Sequence, residues 1–194
     1  MNFDTLKHLF LWHKEYFPWF RKSFSNYGEG SVIHHPAIIS GQQNISIGKG
    51  TTILNNSRLQ IYNYLTGKNS TITIGDNCYI GYRFSALAGG NIVIGNNVLI
   101  ASDVLITSEN HGINPESETP YMDQPLACKD VCIGNGCWIG EKATILPGVT
   151  IGDKCIIGAN SVVAKSVPSY SISAGSPARL IKTYNFETHQ WEKV

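Results

Sequence analysis

An aliphatic residue returns every six positions through much of this chain, and few folds accept that interval. The frame runs unbroken through Ile133, Ile139, Ile145, Ile151, Ile157 and Val163. It is present earlier at Ile94, Ile100 and Ile106, at Ile74 and Ile80, and at Ile47, Ile53 and Leu59. Glycine follows many of these residues, as at Gly48, Gly75, Gly95, Gly134, Gly152 and Gly158. Four residues after the aliphatic stands a second uncharged side chain, mostly small: Cys78, Val98, Val104, Cys137, Ala143, Val149, Cys155 and Ser161, with bulky Phe84 as the exception. Residues six apart lie on opposite sides of an α-helix, and a flat strand alternates with period two, so neither explains the pattern. A short β segment plus a turn does, with glycine accepting the corner conformation. Such units stack into a solenoid of parallel strands, each rung buried by its neighbours.

The block "IGNGCWIGEKATILPGVTIGDKCIIGANSVVAKSVPSYSISAGSPARLIK", residues 133–182, closely resembles the hexapeptide-repeat acetyltransferases, in the branch that acetylates sugars and polysaccharides. A weaker resemblance in the repeat alone runs from about residue 45. It implies an all-β solenoid, a left-handed parallel β-helix of triangular section with 18 residues per coil. Roughly six coils at ~4.8 Å each make a column about 30 Å tall. Spacings then expose insertions. Ile74 to Ile94 is one coil plus two residues, and Ile94 to Ile133 is one coil plus 21. The second excess predicts an extended loop over 108–130, stiffened by Pro115, Pro120 and Pro125. Loops of that length in a compact repeat are usually functional or disordered. The expected organisation is an N-terminal helical cap over 1–28, the β-helix over 29–182 and a tail over 183–194.

The loop opens with "ITSENHGINPE", where His111 stands at the break in the period. An imidazole suits proton removal near neutrality, though an arbitrary loop histidine is more often a solvated polar residue. The resemblance favours the first reading. Related sugar and xenobiotic acetyltransferases place their catalytic histidine 17 residues after an "IGNN" frame, and Ile94 plus 17 is His111. It implies direct acyl transfer from acetyl-CoA, with His111 as general base toward an acceptor hydroxyl. Glu109, Asp103, Glu116 or a backbone carbonyl could orient the ring. Carried over residue by residue, the cofactor contacts fall on Glu141, Ala159, Ala164, Lys165, Arg179 and Lys182, with Trp138 as a flat apolar wall. Glu141 departs from relatives, which commonly have a small polar residue there. Arg83, Ser85 and Glu109 are the acceptor-side candidates. Ser85 stands in "YRFSALAGGN", a shorter stretch than the one that carries an asparagine in relatives.

Other classes fit less well. Fifteen basic and fourteen acidic side chains leave net +1, which draws the chain to neither nucleic acid nor an anionic membrane. Five cysteines without disulfide spacing, no secretory signal and no long apolar run point to a cytoplasmic protein. Cys78, Cys137 and Cys155 fill the inward repeat position, and Cys128 and Cys132 lack further ligands for zinc. A carbonic anhydrase on this solenoid needs a third histidine near His111, so no metal is expected. The N-terminal "MNFDTLKHLFLWHKEYFPWFRKSF" carries aromatic residues at helical spacing and a basic stripe at Lys7, Lys14 and Arg21. It reads as a cap on the column or, less favoured, as an interfacial anchor. The expected protein is a homotrimeric acetyl-CoA-dependent O-acetyltransferase acting on a sugar or glycan hydroxyl, with active sites between subunits. N-acetylation of an amino sugar nucleotide, acetylation of a xenobiotic and a non-catalytic scaffold are the alternatives.

Overall fold

The computed structural model describes residues 18–194, so most of the N-terminal aromatic segment, its first two basic stripe positions included, lies outside the described residues. A short helix, α1 (Pro18–Lys22), leads into the column. Phe24 behind it joins the core, in edge contact with Phe20 at 5.2 Å and Tyr27 at 5.3 Å.

The solenoid follows as six coils of three strands. The first holds β1 (Asn26–Tyr27), β2 (Val32–Ile33) and β3 (Ile38–Ser40), and the second β4 (Ile45–Ile47), β5 (Thr52–Ile53) and β6 (Arg58–Ile61). A helical turn, α2 (Asn63–Thr66), precedes the third coil of β7 (Ile72–Ile74), β8 (Tyr79–Ile80) and β9 (Ser85–Ala88). The fourth holds β10 (Ile92–Ile94), β11 (Leu99–Ile100) and β12 (Leu105–Thr107). The long loop begins and ends with β13 (Glu109–Asn110) and β14 (Ala127–Cys128). Then come β15 (Val131–Ile133), β16 (Trp138–Ile139) and β17 (Thr144–Ile145), and β18 (Thr150–Ile151), β19 (Ile156–Ile157) and β20 (Val162–Val163). With the loop strands β13 and β14 set aside, every third strand of the coils stacks in parallel on the same face, which gives the left-handed β-helix with three faces.

The period sets the register. On the third face Leu59, Ala86, Ile106, Ile145 and Val163 form one inward column, all essentially inaccessible to solvent. Ala86 breaks the run of branched side chains because Phe84, fully buried two residues earlier, supplies the missing volume. Gly89 shows why the next corner tolerates no side chain: a Cβ there would stand 2.6 Å from Glu109 Cβ and 2.8 Å from Cys128 Sγ.

The C-terminal end departs from the parallel pattern. Strand β21 (Ser171–Gly175) continues the second face, and β22 (Ala178–Asn185) turns back on it antiparallel. Strand β23 (Gln190–Lys193) extends the same sheet, so the tail adds strands rather than wrapping the column. Tyr170, Tyr184, Phe186 and Trp191 form a chain of edge contacts 4.8–5.3 Å apart along this end.

Candidate active site

The corner between the third and first faces carries every large insertion. It holds nine extra residues between Ile47 and Ile74, two at Gly89 and Gly90, and 21 in the long loop. The first excess was readable in the sequence, since Ile47 to Ile74 is 27 residues against a coil of 18. Strand β12 ends at this corner, and the loop leaves through the antiparallel pairs Glu109 with Cys128 and Asn110 with Ala127. His111 is the first residue past that neck and is exposed. The neck therefore fixes its backbone to the column while the ring faces solvent.

Gln124 organises the loop beyond it, and sequence reasoning missed it. The buried Gln124 amide donates to the carbonyls of Asn114 and Thr119, both at 3.0 Å, and its Oε1 accepts from Asn114 N–H at 3.0 Å. Gly112 makes room, because a Cβ there would lie 2.6 Å from Gln124 Cβ. Three hydrogen bonds from one buried amide replace the ladder that an irregular loop lacks. A lone glutamine in a proline-rich stretch carries no signal of this role.

Among the suggested partners for the histidine, Glu109 lies in the neck, with its Oε1 accepting from Thr107 Oγ1 at 3.4 Å. Glu116 is exposed farther along the loop, where its backbone N–H donates to Asn114 Oδ1 at 3.0 Å. Asp103 stands elsewhere. It occupies the corner between the second and third faces, and both its oxygens accept from Arg83, at 2.6 Å each. Within one chain it stands at the opposite edge of the third face from the loop, with one bond from Arg83 on each oxygen.

That second corner is a ladder of left-handed turns filled by charged or amide side chains rather than glycine: Arg83, Asp103, Lys142 and Asn160, with φ of 55°, 61°, 58° and 55°. Backbone bonds connect its rungs, as from Asp103 N–H to the Tyr82 carbonyl at 2.8 Å and from Asn160 N–H to the Glu141 carbonyl at 2.8 Å. Glu141 and Ala159 stand on this ladder in successive coils, both exposed. Glu141 also acts electrostatically on Arg83, whose guanidinium is held further above its usual range mainly by the Asp103 hydrogen bond. Ala164 and Lys165, by contrast, follow β20 and stand at the third-to-first corner, on the edge from which the His111 loop departs two coils earlier. Ser85 lies between the two corners on the outward side of β9, buried, with its Oγ accepting from Arg58 Nε at 3.0 Å. Arg58 is exposed there and Ser85 is not.

Trp138, Arg179 and Lys182 share a third location. The outward row of the second face reads Tyr79, Leu99, Trp138, Ile156, Ile172 and then Lys182 across the antiparallel turn-back. Tyr79, Leu99 and Trp138 are 48%, 43% and 49% exposed. Residues three apart in a regular strand point to opposite faces. The register shift between Ile172 and Ser173 places Lys182 opposite Ile172 and Arg179 opposite Ala174, two residues apart on β21. Both cations thereby lie on the face that carries Trp138.

One chain thus divides the candidates among two corners and a face, with His111, Ala164 and Lys165 on one edge of the third face and Glu141 and Ala159 on the other. A face of six residues is on the order of 20 Å wide, so one column does not gather them.

Comparison with known proteins agrees with this architecture. Residues 131–165 match the bacterial transferase hexapeptide family, and residues 71–108 match the hexapeptide repeat of succinyl-transferase. The segment between these matches is the neck and loop that hold His111. WbbJ of Escherichia coli K12, named for O-acetyl transfer in lipopolysaccharide biosynthesis, is 35% identical over 169 residues, covering 84% of each chain. The galactoside O-acetyltransferase of the same organism is 32% identical over 85% of this chain and 66% of its own. In structure, a variant of the N-acyltransferase AntD from Bacillus cereus, solved with dTDP and coenzyme A, superposes with a TM-score of 0.72. At 21% identity over 88% of this chain and 90% of its own, it establishes the fold. From repeat, coil register and the match along most of its length, the chain belongs to the hexapeptide-repeat acetyltransferase family.

Proposed function

We propose that the protein transfers the acetyl group of acetyl-CoA to a hydroxyl of a sugar or surface-polysaccharide precursor, with His111 as general base, at sites shared between the subunits of a homotrimer. The observation that carries this reading is the division of the candidates. His111, Ala164 and Lys165 line one edge of the third face, and Glu141 and Ala159 line the other. Two neighbouring columns set edge to edge bring the loop of one against the coils of the next, and three columns close the arrangement as a cyclic trimer.

In that groove the His111 imidazole takes the proton of the acceptor hydroxyl. The oxygen attacks the thioester carbonyl, and the tetrahedral intermediate collapses with loss of the CoA thiolate. The imidazolium returns its proton to the sulfur, leaving an acetyl ester and free CoA. General-base assistance supplies roughly 10²–10⁴-fold, with positioning providing the rest. Glu109, fixed in the neck two residues before His111, is placed to orient the ring or the acceptor, and Arg83 offers the acceptor a cation from the facing corner. On the cofactor side Trp138 gives the flat wall. Exposed Ala159 and Ala164 let backbone groups approach the amides of the pantetheine arm, while Lys165, Arg179 and Lys182 provide positive charge for the phosphates.

The test is His111→Ala, assayed for thiol release from acetyl-CoA with methyl glycosides as acceptors. Turnover should fall by roughly two orders of magnitude or more while the KM for acetyl-CoA holds. Retention of a third of wild-type turnover would remove His111 from the chemistry. Transfer to an amino sugar or to chloramphenicol, with none to any glycoside hydroxyl, would replace the sugar-hydroxyl reading. Sedimentation equilibrium should give three times 21.3 kDa, and an active monomer would refute the shared site.

A further inference from the structure

The nine-residue excess of the second coil is not needed to close its corner. In the fifth coil the chain passes from Ile145 to Ile151 around the same corner with no extra residue. Yet the excess is tightly built. Tyr62 N–H donates to the Ala88 carbonyl at 2.9 Å, Ser70 Oγ donates to the Gly89 carbonyl at 2.7 Å, and Asn63 bonds both the N–H and the carbonyl of Ser70. Helix α2 ends on Gly67 in the left-handed conformation. What this rigid turn displays is apolar: Tyr64 is 77% exposed and Leu65 59% exposed. Tyr62, half-buried, stands with its ring 6.4 Å from that of Tyr64.

Its position ties the turn to the loop that carries His111. The insertion rests on Ala88 and Gly89, and Glu109 and Cys128 of the neck lie directly against Gly89 from the other side. Glu109 acts electrostatically on Tyr62, and Lys68 of the insertion acts on Cys128. The three insertions thus form one continuous wall around the place where His111 emerges.

We propose that this wall recognises the acceptor, with Tyr64 stacking on the apolar face of a pyranose ring while Tyr62 and Leu65 flank it. The inference rests on the sugar-directed reading above and names a residue that sets its specificity. A pyranose presents axial C–H groups on one face, and an exposed phenol ring on a rigid turn offers them a flat, negatively polarised surface. The same ring edge leaves a hydroxyl free to meet a sugar hydroxyl, the mixed character expected of a site for a polar ring with apolar faces.

The experiment measures transfer from acetyl-CoA to methyl glycosides of glucose, galactose, mannose, rhamnose and N-acetylglucosamine by wild type, Tyr64→Ala and Tyr64→Phe. Tyr64→Ala should raise the KM for the best glycoside by roughly ten-fold, and Tyr64→Phe by much less, since it keeps the ring face and loses only the hydroxyl contact. The KM for acetyl-CoA and the sedimentation mass should stay unchanged in both variants. An unchanged glycoside KM in Tyr64→Ala, with wild type active, overturns this inference and leaves the sugar-directed reading standing. A changed sedimentation mass also overturns it, since Tyr64 would then belong to a contact between subunits. Wild type inactive on every glycoside overturns the sugar-directed reading and this inference with it.

Discussion

Arg83 grips Asp103 across adjacent coils with two parallel charge-assisted hydrogen bonds, Nε to one carboxylate oxygen and Nη2 to the other. The fork geometry makes this the best-defined ion pair at the second-to-third corner, and it holds the Asp103 carboxyl below the 3.8 of an unperturbed aspartate. A depressed carboxyl contributes its stabilisation above the unfolded pKa and loses it as pH falls through the folded one. The pair is therefore intact at neutral pH and breaks only in acid below 3.8. NMR titration should find Asp103 below the ordinary aspartate range, and Arg83→Gln should return it there. An unshifted Asp103 in wild type would mean that the fork does not persist in solution.

The register shift in the terminal hairpin makes a prediction about the cofactor. Arg179 and Lys182 share a face only because β22 has one more residue than β21 between these pairings. Arg179→Ala should raise the KM for acetyl-CoA about ten-fold, since a hydrogen bond to a charged group is worth ~1.5–3 kcal/mol. Deleting Ile181 would leave Arg179 and Lys182 two apart and still on one face, so it should change this KM far less than Arg179→Ala does. If Arg179 reads the 3′-phosphate, its loss should matter little with a dephospho-CoA thioester. Equal effects on both thioesters would assign Arg179 elsewhere on the cofactor.

Ser57 is buried with no hydrogen-bond partner for its hydroxyl, although Ser161, at the equivalent position four coils on, accepts from Gly175 N–H at 3.0 Å. An unsatisfied buried group costs about 1–3 kcal/mol, whereas a made hydrogen bond stabilises by about 1 kcal/mol. Ser57→Ala should leave the urea midpoint unchanged or raise it. Ser161→Ala should lower it. The reverse order would show that Ser57 finds a partner in solution.

Thiol labelling tests the inward assignment of the cysteines. The Cys78, Cys137 and Cys155 sulfurs are buried and donate to the carbonyls of Gly95, Gly152 and Pro168 at 3.1, 3.0 and 3.0 Å. The Cys155 sulfur and burial together push the Cys137 thiol up. Cys132 is exposed on the first face and Cys128 is half-buried in the neck. An aromatic disulfide reagent should modify Cys132 first and leave the three core thiols untouched until the protein unfolds. Rapid native modification of three or more thiols would contradict the coil register.

The six-residue period determined the fold, because each buried aliphatic contacts its counterparts one coil above and below, and that register depends only on spacing. The same arithmetic placed the long loop and put His111 at its mouth. Spacing says nothing about the inside of an insertion, where no neighbour repeats. The grip of Gln124 on the loop is set by one side chain meeting distant loop carbonyls, and the seating of the 62–70 insertion on Gly89 by Ser70 meeting the next coil. The same holds for Asp103, whose pairing with Arg83 across adjacent coils at the second-to-third corner no spacing announces. Arg179 and Lys182, three apart, belong to opposite sides of any regular strand. A one-residue mismatch between β21 and β22 brings them together, and only the pairing of the two strands could decide it.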